Sequence, residues 1–225
     1  MKILENGLPL FPLHTVLFPR ARLPLQIFEP RYREMMDRCR REDLAFGVVL
    51  IKEGVEVGGP ATPHSVGTIA RIVDVARLDD GRISIVAAGI TRFKLLQHFA
   101  DHAYMTAHIR LLPDENVDLS QAEPIAARVV QLFQKYVHMV QNITDPEEPE
   151  EEHALDMPKD PTILSYALAA SLPISVSDKQ TLLETPTTAA RLRREIMILE
   201  RELELLHLIA ERGSQIRDQG AFSLN

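Results

Sequence analysis

The sequence predicts an α+β fold, a β-barrel with one inserted helix followed by a helical bundle, on three observations. Between Leu8 and Leu112 the apolar residues fall in short runs broken by proline and glycine turn signals, the mark of a small or half-open barrel. Within that half, one stretch after Glu29-Pro30 has helical spacing instead. Beyond Pro113 the strand pattern stops, and apolar residues recur at intervals of three and four.

The elements follow in order. Leu8 to Phe18 is apolar, and its prolines suit an edge strand or a bulge, where a missing N–H breaks no ladder. Leu23 to Phe28 is a second short strand. Glu29-Pro30 then starts a helix, with an acid near the positive end and proline where no N–H is needed. That helix is expected to run to about Glu42, with Tyr32, Met35, Met36 and Cys39 on one side and Arg31, Arg38 and Arg41 largely on another. Leu44 to Ile51 has the length and apolarity of a strand, and Lys52 to Ser65, rich in glycine and proline, reads as a loop. In Val66 to Leu78 the alternation puts Ile69, Arg71, Val73 and Val75 on one side. Asp79-Asp80-Gly81 is a hairpin turn, returning through Arg82 to Ile90. Thr91 to Phe99 and Tyr104 to Leu112 complete the barrel.

Asp114 to Glu123 is a polar linker, within which Ser120 and Glu123 form a capping box. Ile125, Val129, Leu132, Phe133, Tyr136 and Val140 follow at helical spacing. Asp145 to Glu152 is an acidic, proline-broken loop. Asp160-Pro161 starts a helix that buries Ile163, Leu164, Ala167 and Leu168 and ends before Pro173. Ser177 with Gln180 caps a short helix carrying Leu182 and Leu183. Thr185-Pro186 opens the longest, whose Leu192, Ile196, Leu199, Leu203, Leu206 and Ala210 alternate steps of four and three, with Gly213 as its stop. Two subdomains result, residues 1–113 and 114–225.

Composition narrows the function. A chain of 225 residues makes one large domain or two small ones and needs no disulfide or metal staple. Its single cysteine, Cys39, agrees. With 25 basic against 32 acidic residues and a net charge of −7, a nucleic-acid backbone is disfavoured as the main partner. Glu5, Pro9, Pro12 and Pro19 interrupt the start too often for an export signal, so the cytoplasm is expected and no membrane partner is. Gly54 to Pro60 lacks the lysine of a phosphate loop, and no cofactor motif occurs elsewhere. His98, His102 and His108 are the one metal-like cluster, but they fall on strand ends and a turn, so surface histidines are the better reading. Cys39, on an apolar helix side, reads as an inert thiol rather than a nucleophile. Arg38, Arg40 and Arg41 read as a solvated face. The seam of the last helix serves either a dimer or the bundle itself, so the expected state is a monomer or a weak homodimer.

Several ordered segments carry a resemblance. They are Leu8-Pro9-Leu10-Phe11-Pro12-Leu13, Val16-Leu17-Phe18-Pro19, and Leu23-Pro24-Leu25-Gln26-Ile27-Phe28-Glu29-Pro30-Arg31-Tyr32. Later come Val66-Gly67-Thr68-Ile69-Ala70, Asp80-Gly81-Arg82 and Gly89-Ile90-Thr91-Arg92-Phe93. In the helical part are Leu164-Ser165-Tyr166, Ala169-Ala170-Ser171-Leu172-Pro173-Ile174, Asp178-Lys179-Gln180 and Leu182-Leu183-Glu184. From about Leu8 to about Arg212 the chain resembles free-standing relatives of the N-terminal substrate-binding domain of Lon proteases. The resemblance implies a PUA-like β-barrel with an inserted helix, followed by a C-terminal α-helical bundle ending in a long helix. It implies recognition of unfolded polypeptide or of a protease or chaperone partner. Neither the ATPase nor the protease module of Lon is found in this sequence, so an enzyme is not expected and no catalytic, cofactor or metal residue is assigned.

The resemblance also points to a polypeptide site made by Phe11, Leu13, Phe18, Ile27, Phe28, Arg31 and Tyr32, with Arg31 and Tyr32 lining a groove beside Phe11 and Phe18. The competing reading is structural: Glu29-Pro30 starts a helix, Tyr32 plugs the barrel, and the apolar residues are core, as aromatics at helical spacing usually are. A barrel edge could also take an extended chain by strand addition. Against the binding module stand two other classes. A hydrolase would need a concave pocket holding an acid, base or nucleophile. An RNA-binding PUA-like protein would need a clustered basic face.

Overall fold

The computed structural model describes residues 7–59, 61–77, 83–100, 103–114, 119–144 and 156–221. It is an α+β fold with a six-stranded mixed sheet and five helices. The strands are β1 (Leu8–Leu13), β2 (Arg22–Ile27), β3 (Phe46–Gly54), β4 (Ala61–Arg77), β5 (Ile83–Phe99) and β6 (Thr106–Leu112). The helices are α1 (Pro30–Glu42), α2 (Leu119–Thr144), α3 (Pro161–Ser171), α4 (Val176–Glu184) and α5 (Thr188–Ala221). By contacts the chain forms two units, one of Met1–Glu115 with Tyr166–Pro186, the other of Asn116–Ser165 with Thr187–Asn225. No helix among the described residues is long and apolar enough to cross a membrane.

In the first unit the sheet order is β2-β5-β4-β3-β1-β6, and β5 also pairs with β6. β1 lies inside this order rather than at its edge, which corrects the expectation drawn from its prolines. The register explains how they are tolerated. Pro9 pairs with Thr106 of β6 and Pro12 with Val49 of β3, whereas Leu10 between them pairs with Gly47 and also donates its N–H to Met105 O at 2.8 Å. Each proline therefore has one paired side, the condition under which a missing N–H breaks no ladder.

Two strands read as separate in the sequence, Arg82 to Ile90 and Thr91 to Phe99, are one 17-residue strand, β5. Ile69 pairs with Thr91 and Ala70 with Gly89, so Ile90 is the extra residue of a bulge. A second bulge leaves Val73 over between Ile72 and Asp74. The Val73 bulge, being on β4 itself, overturns the expected single side for Ile69, Arg71, Val73 and Val75, since beyond it Val75 shares a surface with Ile72, Ile83 and Ile85. Ile69 packs with Leu8, Leu10, Val49 and Phe93, whereas Ala70 belongs to the other cluster, around Phe11, Met35 and Phe46. The loop expected over Lys52 to Ser65 is also shorter, because β3 and β4 stay paired out to Gly54 opposite Ala61. The turn read at Asp79-Asp80-Gly81 lies outside the described residues, as do the loop at Asp145 to Glu152 and His102.

Helix α1 has the expected bounds, and Tyr32, Met35, Met36 and Cys39 are its buried face. Asp43, in the left-handed conformation, ends it. Close approach explains the glycines of the resemblance segments. Gly67 pairs with Phe93, and a Cβ on Gly67 would meet the Phe93 ring and the Val48 carbonyl. A Cβ on Gly89 would run into the Phe18 carbonyl of the turn that crosses it, where Arg20 N–H donates to Gly89 O at 2.8 Å.

Segment 166–186 is tied to the strands by buried polar groups. Arg92, 2% exposed, donates to the carbonyls of Leu183 and Thr185 at 2.9 and 2.6 Å and to that of Pro186 at 3.1 Å. Asp114 accepts from Arg92 at 3.2 Å and from the Tyr166 hydroxyl at 2.7 Å. Gln180 donates to the Val66 carbonyl at 3.0 Å and to Glu184 at 2.8 Å. The cap of α4 is therefore Ser175, which accepts from Asp178 N–H at 3.0 Å, and not the expected Ser177 with Gln180.

In the second unit α2 packs along α5, with Val129 and Leu132 buried from one helix and Leu192 and Leu199 from the other. Asp160 accepts from Ile163 N–H at 2.9 Å at the start of α3, as a helix N-terminus requires. Ala167 is exposed, contrary to expectation. Helix α5 continues through Gly213 to Ala221, since an interior glycine costs only about 1 kcal/mol. Arg191 and Glu195 are both fully buried. Arg191 donates to Ser165 Oγ at 2.9 Å, while neither carboxylate oxygen of Glu195 has a hydrogen-bond partner.

Candidate functional site

The signature segment Phe28-Glu29-Pro30-Arg31-Tyr32 is where the sheet hands over to α1, and it does more than start a helix. Glu29 occupies the N-cap position, but its side chain caps nothing. Its backbone carbonyl accepts from Tyr32 and Arg33 N–H at 3.1 and 3.0 Å. The freed carboxylate instead accepts from Arg31 Nε at 3.1 Å and from Gly58 N–H at 3.3 Å. Arg31 also donates to the Glu56 carbonyl at 3.3 Å, and its guanidinium lies 4.6 Å from the Tyr32 ring centre. Such stacking of a cation on a ring face is favourable.

Tyr32 is backed by Phe11, their ring centres 4.3 Å apart. Burial pushes the Tyr32 phenol above its ordinary pKa; the Arg31 charge opposes this, and Glu29 and Glu56 add to it. Beside the pair lies a partly open cleft of about 500 Å³. Arg31 and Tyr32 form one wall, and the base of the β3–β4 hairpin, with Glu53, Gly54, Gly59, Ala61 and Thr62, forms another. Pro12, His98, Ala103, Tyr104 and Met105 complete it. The Tyr104 hydroxyl is itself held by Arg38, at 3.2 Å. Among the described residues the lining is mostly apolar, and its charged side chains are Arg31 and Glu53, with His98 beside them.

Of the residues singled out in the sequence, Arg31 and Tyr32 line this cleft. Phe28, next to them in the chain, is 48% exposed. Phe11, Leu13, Phe18 and Ile27 are buried, each at 5% exposure or less. Three of these, Phe11, Leu13 and Ile27, share one core cluster with Tyr32. Sequence reasoning missed Tyr104, Met105 and the hairpin base. Tyr104 meets α1 across 66 residues, and nothing local marks it. The hairpin base did carry a signal, Gly54 and Gly58, but both lay in what read as an unstructured loop.

Among the described residues the other sequence candidates gather no site. His108 packs edge-on against Phe99, ring centres 4.9 Å apart, and His98 faces the cleft. Among the described residues no three His, Cys, Asp or Glu side chains come together as metal ligands. Cys39 is buried, and burial pushes its thiol up to about 12.

Comparison with known proteins gives a consistent answer. The family model of the ATP-dependent protease La (LON) substrate-binding domain matches residues 7–201. Lon protease 2 of Sorangium cellulosum is 28% identical over 220 residues, which is 95% of this chain and 27% of that protein. The Lon protease of Syntrophus aciditrophicus is 28% identical over 222 residues, 96% of this chain and 28% of that protein. The chain thus spans about a quarter of the length of the curated relatives it matches. A Lon N-terminal domain protein from Xanthomonas campestris superposes with a TM-score of 0.60 at 27% identity, covering 83% of this chain and 95% of that one. The N-terminal domain of a Mycobacterium avium complex Lon protease gives 0.62 at 20% identity, over 88% and 97% of the two chains, a likeness of fold alone.

Proposed function

The chain belongs to the family of substrate-binding domains of the ATP-dependent protease La (Lon), and from that premise we propose that it is a non-catalytic module that recognises polypeptide. The observation that carries this reading is the mostly apolar cleft of about 500 Å³ beside Arg31 and Tyr32. Clefts of roughly 300–1,000 Å³ are the usual size of binding sites, and this one accommodates a few residues of an extended chain. Arg31, Tyr32 and the exposed Phe28 are the contact residues in this proposal. Phe11, Leu13, Phe18 and Ile27 act from the core, holding the cleft wall in shape. The pairings from β5 through β4, β3, β1 and β6 back to β5 support reading residues 1–113 as a PUA-like barrel; residues 114–225 are the helical subdomain of this proposal, with segment 166–186 grouped by contacts with the strands. The clients are unfolded polypeptides or a protease or chaperone partner, met in the cytoplasm.

The test is titration calorimetry of the protein against a permanently unfolded polypeptide and its folded counterpart at two salt concentrations. Selective binding of the unfolded form, weakly dependent on salt and reduced by Arg31→Ala, is expected. Binding of neither form removes the general-receptor reading. A steep salt dependence points to charge recognition instead.

A further inference from the structure

The tip of the β3–β4 hairpin, residues 55–59, lies beyond the last strand pair, Gly54 with Ala61. Glycines with positive φ stand beside it at Gly54 (104°) and within it at Gly58 (73°). Such residues let a segment change direction with little backbone strain. The tip has little hydrophobic anchoring, for Val55 and Val57 are both more than half exposed. What holds it is polar. Glu29 accepts from Gly58 N–H at 3.3 Å, Arg31 donates to the Glu56 carbonyl at 3.3 Å, and His14 N–H donates to the Glu56 carboxylate at 2.7 Å. Two of these three bonds lie beyond the usual N–H···O range of about 2.7–3.2 Å.

These bonds join two walls of the cleft. Arg31 and Tyr32 belong to one, and Gly54, beside the tip, and Gly59, the last residue of the tip, belong to the other. We propose that the hairpin tip is a latched strap: Glu29 and Arg31 hold it to the first turn of α1, the Glu56 carboxylate holds it to His14 N–H just after β1, and its release widens the cleft for an extended polypeptide. The last clause rests on the function proposed above; the latch itself does not. Because the Glu29 carboxylate is not used as a helix cap, removing it releases the tip and leaves α1 its backbone start. An arriving chain can take over the bonds from within, since its own carbonyl is as good an acceptor for Arg31 as that of Glu56.

The latch is tested with a reporter in the cleft. Met105→Cys places a thiol in the wall, while the buried Cys39, its thiol pushed up to about 12, stays silent. Labelling of this thiol by a bulky maleimide is compared in the otherwise native chain and with Glu29→Ala and Glu56→Ala combined. Loss of the two carboxylate bonds, with the Arg31 bond to the Glu56 carbonyl left in place, is expected to speed labelling about tenfold, one hydrogen bond's worth of opening. Amide exchange should rise in residues 55–59 while the β3–β4 ladder stays protected, which verifies that the variant is folded. Equal labelling rates in the two backgrounds would overturn the strap. Faster labelling without binding of an unfolded polypeptide by either form would uphold the strap and remove the recognition reading.

Discussion

Arg92 and Thr185 are joined by a 2.6 Å hydrogen bond from guanidinium to backbone carbonyl, across 93 residues of chain. The same side chain serves Leu183, Pro186 and Asp114. A planar fork of donors meets several acceptors at once, which the single ammonium of lysine cannot do. Arg92→Lys and Arg92→Met should each lower the unfolding free energy by about 3 kcal/mol, read from denaturant melts. A loss below about 1 kcal/mol would mean that the segment docks without Arg92.

Two glycine substitutions should fail for different reasons. Gly89→Ala drives a methyl into the Phe18 carbonyl, a backbone atom that cannot swing aside, so a loss of about 2–3 kcal/mol is expected. Gly58 has open space around a new Cβ but a φ of 73°, and Gly58→Ala should cost only about 1 kcal/mol of conformational strain. Thermal melts of the two variants side by side check the ranking, and equal losses would contradict it.

Glu195 should make stability fall as pH rises. Burial raises its carboxyl well above the ordinary value, with Arg191 opposing. In acid both folded and unfolded chains keep the proton. As pH climbs past the ordinary carboxylate value the unfolded chain ionises first, and the fold loses stability until its own raised pKa is passed. Glu195→Gln removes this slope. Its advantage over the native chain should grow as pH rises above the ordinary carboxylate range, by at most about 1.4 kcal/mol per pH unit. An advantage independent of pH would show that Glu195 is already ionised in the fold.

Cys39 should resist thiol reagents. Its thiol is pushed up to about 12 by burial, with Arg38 opposing and Glu42 adding. Only the thiolate attacks such reagents, so modification near neutral pH should proceed no faster than unfolding, and mild denaturant should accelerate it. Rapid modification of the native chain would place the thiol outside the core.

Much of the fold was legible because its signals are local. Pro30 and the spacing of Tyr32, Met35, Met36 and Cys39 define α1 without reference to any other segment. The bulges at Ile90 and Val73 were not legible, since a bulge exists only relative to a partner strand. Ser175 and Ser177 each have a suitable residue three positions on. Only the capture of Gln180 by Val66, 114 residues away, decides between them. The cleft shows the same divide. Arg31 and Tyr32 announce themselves in one short segment, while Tyr104 and Gly59 arrive from distant turns.

The return of segment 166–186 to the first unit has a consequence for synthesis. Arg92 emerges from the ribosome 93 residues before Thr185, a wait of roughly 5–20 seconds at ordinary translation rates. Throughout that interval its guanidinium has no carbonyls of that segment to bind, and the nascent sheet lacks the chain that covers it. On the proposed function, a domain that recognises unfolded chains would thus begin its existence as one.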